Sequence, residues 1–377
     1  MAGIYLHIPF CKQACHYCDF HFSTSLRSKE AMLDALHREL SARASYLENQ
    51  EIETIYLGGG TPSMLSADEL QRLLDVVFKN FRMTSTPEIT LEANPDDLTY
   101  FKILELKRTP INRLSIGVQS FRDEDLQWMN RAHTSTQADY AVKCAQDRGF
   151  DNITIDLIYS VPGLSAQAWQ HNIEKALDLE VQHISAYSLT IEPKTVLGNQ
   201  WAKGELHPAP DEVSEEQFRV LRQMLLRAGF EHYEVSNFCR PGMHSRHNSS
   251  YWKGAHYLGV GPSAHSFNGS SRQWNVANNA KYISGITTGT PSFEIEQLSD
   301  TMRFNEYLMT GLRTQWGIDL SHIKQEFGID LLQREQTQLE SFMQQGLLIE
   351  AENHIRLTES GLLRADRIAS DLFIVES

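Results

Sequence analysis

Three of the five cysteines of this chain, Cys11, Cys15 and Cys18, stand together with the spacing C-x3-C-x2-C. Three thiolates on one short loop suit two kinds of centre. The first is a four-iron, four-sulfur (4Fe-4S) cluster held at three irons, with the fourth iron open to a small chelating ligand. The second is a structural zinc completed by a nearby imidazole, His7, His16 or His21. Tyr17, directly before the third cysteine, is placed to pack on a cofactor held by the loop. A glycine triplet, Gly58-Gly59-Gly60, lies farther along, at the end of a second apolar run. Glu92, Gln119 and Asp156 fall late in or just after later apolar runs. The ends of parallel strands line one mouth of a barrel, so these residues are expected to converge beside the cysteines.

The elements that must position them follow in order. The apolar run Ile4 to Ile8 reads as a first strand, stopped by Pro9. Met32, Leu33, Leu36 and Leu40 recur at helical spacing within Ser28 to Leu47. Strands are expected at 53–57, 88–91, 113–118, 153–158 and 183–189, alternating with helices. One of those helices opens with Ser66 and Glu69 as a capping box. Six such units predict parallel βα pairs with right-handed crossovers, forming a partial (βα)6 barrel of the α/β class. Three regions are expected: 1–212 as the barrel with its site, 213–296 as an extension, and 297–377 as a mostly helical, winged-helix-like domain. Within them, 192–212 reads as a connection and 239–275 as irregular. Cys144 sits in a helical pattern as core, and Cys239 lies in a loop without a role.

Composition narrows the function. The chain has 377 residues, 41% apolar and 22% charged, with a net charge of −14, which opposes a broad nucleic-acid surface. The last region carries 7 basic and 13 acidic residues, so its winged-helix pattern does not imply DNA binding. Few, odd and clustered cysteines fit a reducing compartment rather than a disulfide framework. No basic start with an apolar follow-on and no run of ~20 apolar residues is present, so a cytoplasmic protein is expected. Docking on a membrane surface is compatible with this composition.

The motifs together carry a resemblance. Tyr5-x-His-Ile-Pro-Phe-Cys-x3-Cys-x-Tyr-Cys, Gly58-Gly-Gly-Thr-Pro62, Glu92-x-Asn-Pro and Ser115-Ile-Gly-Val-Gln-Ser-Phe121 resemble the oxygen-independent coproporphyrinogen-oxidase-like family of radical S-adenosylmethionine (SAM) proteins, over nearly the whole chain. The resemblance implies a 4Fe-4S cluster on Cys11, Cys15 and Cys18. It implies SAM on the open iron, with its methionine part on the backbone of Gly59, Gly60 and Thr61. Tyr5, Tyr17, Glu92, Gln119, Arg131 and Asp156 would complete the pocket. The chemistry agrees, because a sulfonium and an ammonium want carboxylates nearby and a carboxylate wants an arginine.

Two departures bear on activity. Phe20 stands where the oxidase branch carries a fourth cysteine, and the first strand begins at residue 3 or 4, leaving no N-terminal extension to cover a substrate. Both oppose porphyrinogen decarboxylation. In their place stands His247-Asn-Ser-Ser-Tyr-Trp252, an H-N-x-x-Y-W signature similar to the haem-chaperone branch of the family. That branch implies haem as cargo, contacted by His247, Asn248, Tyr251 and Trp252, and passed to acceptor haemoproteins of the respiratory chain. Imidazoles and flat aromatics suit haem, and four of the fifteen histidines fall within 244–265. Read without the resemblance, the segment is a hydrogen-bonded loop packed on the barrel, and His244 with His247 is a further metal pair. The leading expectation is thus a haem chaperone with SAM and cluster in a structural or regulatory role, for instance promoting a homodimer. The second is an enzyme that cleaves SAM reductively to act on a tetrapyrrole. The third is a zinc-stabilised interaction scaffold.

Overall fold

A computed structural model describes residues 1–375. Fifteen strands, β1 to β15 in chain order, run Ala2–Ile8, Ile52–Gly59, Met83–Ala93, Arg113–Gln119, Ile153–Tyr159, His183–Ser188, Glu231–Glu234, Asn237–Cys239, Tyr257–Val260, His265–Phe267, Ser271–Asn275, Phe293–Gln297, Ile318–Asp319, Leu348–Ala351 and His354–Leu357. The first twelve form one sheet in the order β12-β11-β10-β9-β1-β2-β3-β4-β5-β6-β8-β7. β1 to β6 are parallel neighbours in sequence order, as βα crossovers require. The expected partial barrel in an α/β chain is therefore present.

Alternation along these strands separates two environments. Ile4, Leu6, Ile8, Ile55, Leu57, Leu91, Leu114, Ile116, Ile155 and Ile184 are fully or almost fully buried in the core cluster that includes the surrounding helices. The alternate positions are polar: register pairs Tyr5 with Tyr56 and Thr54 with Glu88, then Thr90 with Arg113 and Asp156 with Ser185. The barrel interior is thus filled by polar side chains rather than apolar ones, and it opens at the cysteine-loop end, where a charged ligand can enter.

Local signals act as expected at several starts. Ser66 and Glu69 form the reciprocal capping box of helix Ala67–Asn80, and Thr134 with Gln137 caps Ser135–Asp147 in the same way. Three expectations change. The connection 192–212 contains helix Val196–Ala202. Residues 239–275 are ordered: they form helix Arg246–Trp252 and three strands, and β9 pairs in parallel with β1, so the first strand is internal to the sheet. Each piece is short, which hides its period in the sequence. Cys239 lies in β8 and not in a loop, and is fully buried, whereas Cys144 is in the core as expected.

A second core, built on Phe304, Leu308, Leu312, Ile318, Ile323, Leu348 and Ile355, belongs to the C-terminal helices and the sheet β13-β15-β14. Arg313 ties it to the barrel: its guanidinium meets Glu234 at 3.2 Å and Asp366 at 2.6 Å.

Helix Arg246–Trp252 closes the end of the barrel opposite the cysteine loop. The backbone N–H groups of Arg246 and His247 donate to the buried carboxylate of Glu88 at 3.1 and 3.0 Å. The His247 ring is 1% exposed and stacks on Tyr56. Its Nδ1 meets Thr54 Oγ1 at 2.7 Å and its Nε2 meets the Tyr251 hydroxyl at 2.8 Å. Burial, then Arg113, pushes its pKa down to about 3, so the ring is neutral. Both ring nitrogens are thus committed to hydroxyls. His247→Ala is expected to destabilise the chain by about 2–4 kcal/mol, from a cavity plus two orphaned hydroxyls. Denaturant unfolding checks this; a loss below about 0.5 kcal/mol would remove His247 from the plug.

Candidate functional site

The cysteine loop leaves β1 and is held from three sides. From below, the glycine turn after β2 touches it: Gly60 N donates to Ile8 O at 2.9 Å and Thr61 N to Phe10 O at 2.7 Å. A Cβ on Gly60 would lie 2.6 Å from Phe10 O and 2.7 Å from Ile8 O. Gly59 has a φ of 103°, and a Cβ there would strike the His7 ring at 2.5 Å. The glycines are therefore steric requirements of the loop's seat. From one side, Lys12 pairs with Asp96 at 2.7 Å and with Asp97. From the other, Asn130 Nδ2 donates to Ala14 O at 2.7 Å, and His16 N donates to Met129 O at 3.0 Å.

Arg131 links these parts. Its Nη1 lies 3.4 Å from both Cys15 Sγ and the Tyr17 hydroxyl, while Nη2 donates to Asn94 Oδ1 at 2.6 Å and Gly117 O at 2.8 Å. Its Nε is buried without a partner. Thr61 Oγ1 donates to Cys11 Sγ at 3.4 Å and accepts from Asn94 Nδ2 at 3.2 Å. Burial raises the Cys11 thiol and pushes Cys18 up to about 12, so loading a metal centre must release protons.

The cysteines discriminate between the two centres. Among the described residues, the one trio of His, Cys, Asp or Glu donors closing to within 4.8 Å lies elsewhere, so the three sulfurs are not gathered as a single ion requires. Of the nearby imidazoles, His7 has both nitrogens engaged, Nδ1 with the Tyr5 hydroxyl and Nε2 with His21 O. Spread thiolates and an adjacent arginine fit a multi-iron cluster better than a zinc ion.

Above the loop opens a cavity of about 1110 Å3 lined by the three cysteines, Tyr17, Gly59, Gly60, Thr61, Glu92, Gln119, Arg131 and Asp156. Nearly the whole set expected for cluster and SAM is thus brought to one mouth. Tyr5 is the exception: it stands one layer deeper, its hydroxyl 3.1 Å from His7 Nδ1 and its ring stacked near Tyr56. Glu92 accepts from the Tyr56 hydroxyl at 2.8 Å and from Gly59 N at 3.1 Å. Burial raises its pKa. Asp156 is pushed up to about 7 by burial and then by Glu92. Two carboxylates in a low-dielectric wall, with an arginine opposite, can hold a zwitterion that also carries a sulfonium. Gln119 takes a φ of 67° at a break in the β4–β5 register, which turns it toward the mouth.

Sequence reasoning missed several residues. Asn94 bridges Thr61 and Arg131, and the Asn-Pro turn after β3 was the available signal. Helix Asp211–Arg227 brings Ser214 and Phe218 to the rim. The C-terminal region adds Arg364, Asp366 and Arg367, and no local pattern marks these. Phe20 is 68% exposed and also lines the mouth. The haem-assigned residues are on the far side. Asn248, Tyr251 and Trp252 are half-buried around the plug, and Arg313 lies 5.6 Å over the Trp252 ring.

Asp156 titrates with a defined sign. Its folded pKa lies above its ordinary 3.8, so its contribution is most favourable below that value and is lost as pH rises toward 7. In SAM-free protein, Asp156→Asn is expected to raise stability at pH 8 by on the order of 2 kcal/mol, allowing for the solvent exposure of the cavity wall. The gain should fade as pH falls toward 4, where both variants carry a neutral group. Thermal melts across that range read it; a gain that grows at low pH would contradict the assignment.

Comparison with known proteins agrees with this geometry. The radical SAM superfamily model matches residues 5–176, and the HemN C-terminal domain model matches 298–364. The heme chaperone HemW of Bacillus subtilis is 34% identical over 371 residues, covering 98% of each chain. That of Escherichia coli is 36% identical over 266 residues, 70% of this chain and 69% of that one. A mitochondrial radical S-adenosyl methionine domain-containing protein 1 from Bos taurus is 31% identical over 388 residues, 98% of this chain and 87% of its own. Among solved structures, coproporphyrinogen III oxidase HemN of Escherichia coli, a radical SAM enzyme, shares the fold with a TM-score of 0.85 at 21% identity, over 99% of this chain and 90% of that one. The chain therefore belongs to the HemW family of radical SAM proteins.

Proposed function

We propose that this protein is a haem chaperone: it binds haem and passes it to acceptor haemoproteins of the respiratory chain, in the cytoplasm. It carries a 4Fe-4S cluster on Cys11, Cys15 and Cys18 and SAM in the adjoining mouth. The observation that carries the reading is kinship with a heme chaperone HemW over 98% of the chain, and Arg131 stands beside the cysteine loop. No described helix is long and apolar enough to cross a membrane.

The residues divide the work. Arg131 sets a positive charge beside Cys15 Sγ and holds Tyr17 by its hydroxyl. Glu92 and Asp156 would receive the cationic groups of SAM, and the Gly59–Thr61 backbone would lie against its methionine part. A cluster on the three cysteines, with SAM beside it, would supply an electron to a cleavable sulfonium, or else a rigid ligand that orders the mouth. Haem contacts Asn248, Tyr251 and Trp252, while His247 orients Tyr251 from within the plug. Trp252 and Trp316 offer flat faces, and Arg313 and Lys253 lie over them as partners for propionates.

The cavity itself favours a second reading, a radical SAM enzyme acting on a tetrapyrrole, because about 1110 Å3 admits a large substrate. Phe20 in place of a fourth cysteine opposes it.

Anaerobically reconstituted protein should show cluster absorbance and, on reduction, an EPR signal that SAM alters; zinc without iron at this loop would sink the assignment. Trp252→Ala is expected to weaken haem binding about tenfold in an absorbance titration, with folding intact. Bound haem should reach an apo-acceptor. Multiple turnovers to decarboxylated porphyrinogen would replace the chaperone reading with the enzyme reading.

A further inference from the structure

A second group of metal-ligating side chains lies away from the cysteine loop. On the β7–β8 hairpin at the sheet edge, Glu231 and Cys239 are direct cross-strand partners, so their side chains share one face. After β8 the chain turns, with Met243 N donating to Arg240 O and Gly242 at a φ of 77°, and this return brings His244 over the pair. One donor atom from each of Glu231, Cys239 and His244 lies within 4.8 Å of the others. Cys239 is a free, fully buried thiol. His244 Nε2 is shielded from solvent and has no hydrogen-bond partner, although Glu231 Oε2 is 3.3 Å away. The ring is clamped edge-on by Tyr233 at 4.6 Å and lies beside Trp316. Glu231 is 38% exposed, which leaves a path from solvent.

We propose that Glu231, Cys239 and His244 bind a divalent cation of the zinc class. Sulfur, imidazole and carboxylate are the ligand set of a borderline-soft ion, and three protein ligands leave a fourth position for water. A haem iron does not fit here, because Nε2 faces the carboxylate rather than open space. Binding forms a metal–sulfur bond at Cys239 and releases the thiol proton to solvent, so one proton leaves per ion. The ion staples the edge hairpin to the segment that leads directly into the plug helix, which begins at Arg246. It is thus a structural centre at the end of the barrel opposite the cluster.

The test uses the full-length chain with Cys11, Cys15 and Cys18 replaced by alanine, so that the cluster loop takes no metal. Titrated with Zn2+ alone, it should bind one equivalent, release one proton at pH 7 and melt at higher temperature. Co2+ alone should give an intense thiolate-to-metal charge-transfer band and the d–d bands of a four-coordinate site. Cys239→Ser should abolish the charge-transfer band, and His244→Ala and Glu231→Gln should each weaken Zn2+ binding at least tenfold. His244 and Glu231 are part-exposed, so those two variants should retain the fold, checked by circular dichroism. Absence of a stoichiometric Zn2+ site in the parent overturns the proposal, and so does Co2+ bound without a sulfur band. Unchanged binding in His244→Ala likewise overturns it.

Discussion

The guanidinium of Arg131 is the contact on which the mouth depends. It is buried, and it touches the cysteine loop, the turn after β3 and the end of β4 at once. A buried cation is costly unless its surroundings answer it. Here the answer comes from a thiol and a phenol of the cysteine loop, an amide of the turn after β3 and a backbone carbonyl of β4. Removing any one leaves the charge less well satisfied, which couples loop, turn and strand into one unit. The close approach of Gly60 to the loop backbone then sets how near that unit can sit to the glycine turn.

The polar interior follows from the same economy. In a filled barrel the inward residues are bulky and apolar. Here they are Tyr5, Tyr56, Glu88, Glu92, Arg113 and Asp156, and one end of the barrel is closed by a helix whose His247 stacks on Tyr56. The seal uses hydrogen bonds: two helix N–H groups on Glu88, and His247 between two hydroxyls. Such groups are tolerated because almost all of them are paired. The cost of polarity inside is offset by an open mouth that accepts charged ligands.

Much of this was legible in the chain. Cys11, Cys15, Cys18, the glycine turn, Glu92 and Gln119 lie on or just beyond the ends of regular strands, where periodicity reveals position. The barrel strands alternate cleanly, so their order could be read as well. What stayed hidden depends on contacts between distant segments. His247 resembles a metal ligand in type and neighbours, and only the packing of Thr54, Tyr56 and Tyr251 around it shows that its nitrogens are used. Cys239 had no visible partner, because Glu231 reaches it across a strand pair and His244 through a turn. The rim contributed by Arg313 and Arg364 arises from the docking of a second core, which no local pattern encodes. Strands β9 to β11 were missed since three to five residues carry too little period.

The pairing of β9 with β1 has a consequence for the order of events during synthesis. β1 leaves the ribosome roughly 250 residues before its second neighbour, β9. Until then the strand that bears the cysteine loop is an unpaired edge, and the opposite end of the barrel has no helix to close it. The cysteines therefore spend most of translation on a half-built scaffold. A nascent chain is open at the very place where the finished protein is tightest, so assembly of the metal centre and completion of the fold are linked in time as well as in space.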